Sequence, residues 1–168
     1  MRTDDSFILP LTSTRVVAQL HEIGIRIRQG DDGRILAAFG EPGELQFLTI
    51  LSVEETYLCV RSQVQQEFSA DQMLVASTAC NNWNRQHRFP VAVVADDGGA
   101  RDWIVCRYQV PAGNGLTDLQ LRIHLECALQ AIGVCWHDLV GQLAEVRATE
   151  ETAVTASELE AWLDRQTA

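Results

Sequence analysis

The sequence predicts an α+β domain in which an antiparallel sheet is covered by helices. Three observations predict it. Strand-like runs are joined by tight turns such as Asp32-Gly33 and Asp97-Gly98, and short hairpins make antiparallel pairs. Helical runs open at capping boxes, Ser69-x-x-Gln72 and Thr117-x-x-Gln120. The order of elements reads α-β-β-β-α-β-β-α, with a short appended helix, so the helices must cover one sheet.

The first helix is expected from Thr12 to Ile23, with Val16, Val17, Leu20 and Ile23 on its buried face. Arg15, Gln19 and Glu22 then point away, and Gly24 ends the helix. Strands are expected at 25–28 and 34–39, around a turn at Gly30-Asp31-Asp32-Gly33. Strands 45–53 and 56–65 follow, joined at Glu54-Glu55. The region holds four short strands, or three with one broken.

The second helix places Met73, Ala76, Cys80 and Trp83 on one face and ends near Asn84. A hairpin pairs 89–96 with 102–110. The third helix runs to about Glu145, with Leu121, Leu125, Ala128, Ile132, Trp136, Leu139 and Leu143 as its buried stripe. Asp118, Arg122 and Glu126 stand at i,i+4 and are expected to pair on the wet face. Ser157-x-x-Glu160 opens a last helix with Leu159, Trp162 and Leu163 on its apolar side. The organisation is thus an N-terminal tail 1–10, one domain 11–146, and a linker with a short helix at 147–168.

Composition narrows the function. The 168 residues carry 23 acids and 13 bases, a net charge of −10, and every base is arginine. Phosphate contacts dominate nucleic-acid affinity, so this balance argues against DNA or RNA and against an anionic membrane. No apolar run approaches the ~18 residues of a membrane span. The first residues carry acid where a signal peptide needs base, so a cytoplasmic location is expected. Cys59, Cys80, Cys106, Cys127 and Cys135 form no CxxC and each lies in an apolar segment, so buried free thiols are expected.

No catalytic or metal centre is legible. Gly113-Asn114-Gly115 precedes a helix, but no P-loop lysine follows and Asp118 occupies the first turn, where it repels phosphate. His21, His87, His124 and His137 form no ligand spacing, and no G-x-S-x-G is present. No enzyme activity, cofactor or metal is expected. Asn81-Asn82-Trp83-Asn84-Arg85, then Phe89-Pro90, is the unusual stretch. In one reading the asparagines satisfy backbone groups at a helix end and Trp83 plugs the core. In the other, Asn82, Trp83, Asn84, Arg85 and Phe89, with Trp103, form a recognition patch.

Asn82-Trp83-Asn84-Arg85 with Phe89-Pro90, then Asp97-Gly98 and Gly115-Leu116-Thr117-Asp118, resemble the YbjN family, described as bacterial sensory transduction regulators. The resemblance spans roughly 11–145, and Cys135-Trp136 departs mildly from the family's aromatics. That family is similar in fold to type III secretion chaperones, which are small, acidic homodimers. The resemblance implies a chaperone-like or adaptor role: a homodimer that binds another protein. A small-ligand sensor in signal transduction is the alternative.

Overall fold

The computed structural model describes residues 7–40, 46–65, 70–96 and 102–147. Its first helix, α1 (Ser13–Glu22), starts where the Thr12 hydroxyl accepts the backbone N–H of Arg15. It ends at Gly24, whose positive φ of 79° lets the Ile25 N–H reach back to the Leu20 carbonyl at 2.9 Å. That closure is a Schellman-type stop, and it consumes the first residues expected in a strand. The expected strand at 25–28 is therefore corrected to the two-residue β1 (Arg28–Gln29), while Ile25 and Ile27 pack against the core.

The other strands are β2 (Ile35–Phe39), β3 (Phe47–Glu54), β4 (Tyr57–Gln65), β5 (Val91–Asp96) and β6 (Asp102–Pro111). They form one antiparallel sheet in the order β1-β2-β3-β4-β6-β5. Helices α2 (Ala70–Gln86) and α3 (Asp118–Arg147) complete the fold. The capping box at α3 is reciprocal. The Thr117 N–H donates to Gln120 Oε1 at 2.9 Å, and the Gln120 N–H donates to Thr117 Oγ1 at 3.1 Å.

The three described helices all pack on one face of the sheet. Ile35, Leu51, Leu58, Val60, Ile104 and Cys106 from that face join Leu20, Trp83 and the stripe of α3 in the core. Every residue expected in that stripe is buried. Trp136 stacks on Phe47 and donates its indole N–H to Ser62 Oγ at 2.8 Å, which pins α3 across the middle of the sheet.

Three expectations are corrected here. Arg15 and Gln19 do not face water: Gln19 is buried, and Arg15 bonds the carbonyls of Leu9, Pro10 and Leu116 and the carboxylate of Asp118. Arg122 reaches Gln19 and Glu22 and not its i,i+4 neighbours, because α1 lies beside the start of α3. Cys127 is exposed, while the other four thiols are buried. Ser69, the expected cap of α2, and the expected helix with Leu159, Trp162 and Leu163 lie outside the described residues.

Candidate recognition surface

The unusual Asn-Trp-Asn-Arg stretch forms the last turns of α2, where that helix meets β5. Trp83 is buried and donates its indole N–H to the Pro90 carbonyl at 2.7 Å. His87 stacks on its ring at 3.7 Å between centroids. Asn84 bonds both backbone groups of Ala92: its amide donates to the carbonyl at 2.7 Å, and its oxygen accepts the N–H at 2.9 Å. The Ala92 groups that face away from β6 are thus filled by a side chain, which blunts the sheet edge. A cis bond joins Phe89 to Pro90 between the two elements.

The remaining site residues divide. Asn82 and Arg85 are exposed on the same helix end. Phe89 is 54% exposed and rests against Tyr108 at 5.4 Å between rings. The backbone of Trp103 pairs with Gln65 and Ala95, and its side chain lies outside the described residues. The structure therefore gathers buried Trp83 and half-buried Asn84 as a clamp, next to exposed Asn82, Arg85 and Phe89.

Sequence reading missed what extends this surface. Val91 and Val93, 44% and 43% exposed, lie on the sheet face away from the helices, whereas Phe89, in the turn before β5, leans on Tyr108 of the helix-covered face. Arg107 stands opposite Val91, and Arg61 stands opposite Arg107; both are exposed. Arg88 is exposed beside Phe89. The period-two run Val91-x-Val93 carries the signal, but only the register shows that arginines flank it. The surface is thus apolar and locally basic on a strongly acidic chain.

No other cluster among the described residues competes for a chemical role. Among the described residues, no group of three or more His, Cys, Asp and Glu side chains is placed to hold a metal ion. Burial pushes the Cys80 thiol up to about 12. The Cys106 thiol is raised too, by its contact with Cys135 Sγ at 3.4 Å and by burial. Such thiols are poor nucleophiles at neutral pH. The Gly115 loop is occupied by the chain itself, since Leu9 and Leu116 exchange backbone bonds of 3.2 and 3.0 Å across it. Among the described residues, no helix is long and apolar enough to cross a membrane.

Comparison with known proteins places this geometry. Residues 12–133 match the model of the YbjN family, whose description reads "Putative bacterial sensory transduction regulator". No curated protein matches the chain. Among solved structures, it is similar in fold to one titled "Crystal structure of YbjN, a putative transcription regulator from E. coli". That likeness has a TM-score of 0.66 at 9% identity and covers 83% of this chain and 96% of the other. The family match spans most of the domain that carries the clamp and its surface, and on that ground the chain belongs to the YbjN family.

Proposed function

We propose that the protein is a non-enzymatic, protein-binding regulator of the chaperone or adaptor type. The observation that carries this reading is the exposed pair Val91 and Val93 on β5, flanked by Arg61 and Arg107, with Phe89 and Arg88 exposed in the turn just before the strand. An aromatic side chain with arginines around it has the composition of an interface hot spot. The complementary partner is a protein segment that alternates apolar side chains with carboxylates. It lies on the sheet face, because Asn84 occupies the edge of β5 where an added strand would pair at Ala92.

The protein works as a homodimer in this reading. Leu119, Ile123 and Val134 lie exposed along the solvent side of α3, which supports self-association there and leaves β5 free. The groove between α2 and α3, about 280 Å³, supports a small-ligand sensor less well. Its polar side chains are already engaged: Thr78 donates to the Leu74 carbonyl, and Gln142 donates to Asp138.

Affinity capture from the native host tests the reading, with the parent and Val93→Arg compared at equal melting temperature. A protein retained by the parent and lost by the variant supports it. Equal retention overturns it.

A further inference from the structure

The sheet face opposite the helices is not uniformly open. The register places Leu36, Leu48, Cys59 and Val105 on that face, with Val91 and Val93. Leu48 is 0% exposed and Val105 is 2% exposed, and Leu36 and Cys59 are buried as well. None of the four belongs to the core cluster formed with the helices. On an uncovered antiparallel face the tips of such side chains meet water, so something lies over these four side chains, while Ala38, Arg61, Arg107 and Gln109 on the same face, and Val91 and Val93 of β5, stay exposed. No described element does this. The three helices lie on the other face, and the segment at Leu9 is bridged to Leu116 beyond the end of β6.

We propose that the cover is the chain's own C-terminal segment, residues 148–168, docked through Leu159, Trp162 and Leu163. The path of α3 supports it. The helix starts just beyond the end of β6, crosses the sheet at Trp136 over Ser62, and reaches Gln142 beside Leu74 near the start of α2. It therefore ends at the margin where β4 finishes and β6 begins, next to the row that holds Leu48 and Val105. The nine residues 148–156 span up to about 30 Å when extended, enough to round that margin.

Dimensions and charge agree. A helix of the twelve residues 157–168 is about 18 Å long. The three strand spacings from β2 to β6 amount to about 14 Å. Leu159, Trp162 and Leu163 stand at i, i+3 and i+4 and share one face. The segment carries Glu150, Glu151, Glu158, Glu160 and Asp164 against Arg165 alone. The face it would meet carries Arg61 and Arg107 side by side, a like-charge pair that nearby carboxylates relieve.

The proposal shares Arg61 and Arg107 with the partner-binding reading, but its test reads the cover over Val105 and needs no partner. Val105→Cys places a near-isosteric thiol under the proposed cover. Its maleimide modification is read by peptide mass spectrometry, with exposed Cys127 as the internal fast site. In the full chain the introduced thiol should react far more slowly than Cys127. Stopping the chain after Arg147, or Trp162→Glu in the full chain, should raise its rate about tenfold or more while Cys106 stays protected. An unchanged rate in both backgrounds overturns the proposal and assigns the cover to the turns at the sheet margin. Protection that falls on dilution overturns it in favour of a second copy. If the truncated chain unfolds, Cys106 reacts as well, and Trp162→Glu and Leu159→Ser then decide.

Discussion

The side-chain amide of Asn84 pairs with Ala92 as a neighbouring strand residue would, accepting its N–H at 2.9 Å and donating to its carbonyl at 2.7 Å. A helix end thereby closes part of the open side of β5 and fixes the strand that presents Val91 and Val93. Asn84→Ala leaves two part-buried backbone groups unpaired, so a loss of about 1–3 kcal/mol is expected. Asn84→Asp should lose a comparable amount, because its carboxylate meets the Ala92 carbonyl where an amide donated. Urea denaturation measures both. Stability equal to the parent for each would show that the clamp is dispensable.

Trp83 fills the core and holds Pro90 through its indole N–H. Trp83→Ala should cost about 3–5 kcal/mol, as large aromatic truncations in cores do. Trp83→Phe keeps most of the volume and loses the hydrogen bond, so it should cost less. A Trp83→Ala protein that melts like the parent would remove Trp83 from the scaffold.

Gly115 combines a φ of 82° with a backbone contact. A Cβ there would sit 2.4 Å from the Leu9 carbonyl oxygen. Gly115→Ala should destabilise by about 1–3 kcal/mol and release Leu9 from its bridge to Leu116. Thermal melting together with faster amide exchange at Leu9 and Leu116 checks this. Gly113→Ala meets only the Thr56 side chain at 3.3 Å and should be milder.

Thiol chemistry should be uneven. Cys127 is exposed, whereas burial raises Cys59 and Cys80, with Cys80 at about 12, and the Cys135 contact together with burial raises Cys106. Raised thiol values leave little thiolate near pH 8. One equivalent of a disulfide reagent should therefore react quickly in the native protein, and the other four only as it unfolds. A raised folded-state pKa means the neutral thiols favour folding until pH passes the unfolded value near 8.5, above which the unfolded chain ionises first. Stability should therefore fall as pH climbs from about 8.5 toward 12.

Much of the scaffold was legible because periodicity and capping are local. The stripe from Leu121 to Leu143, the Thr117–Gln120 box and the Gly24 stop can each be read from residues a few positions apart. What failed to read was non-local. Arg15 has the spacing of a wet-face residue in α1, yet Asp118, 103 positions later, draws it inward. The pairing of Asn84 with Ala92 needs the helix end and β5 placed together. The arginines beside Val91 become neighbours only through the register of β4, β5 and β6. Cys127 sits in an apolar stretch of α3, but a thirty-residue helix keeps a solvent side even where it carries few charges.

The most direct test of the account places a photoreactive phenylalanine analogue at position 93 on β5 and, separately, at position 119 on α3, in the native host. The account predicts adducts with a different protein from position 93 and adducts of the chain with itself from position 119. Position 93 yielding no protein adduct, or only self-adducts, would contradict the assignment of partner binding to the β5 surface.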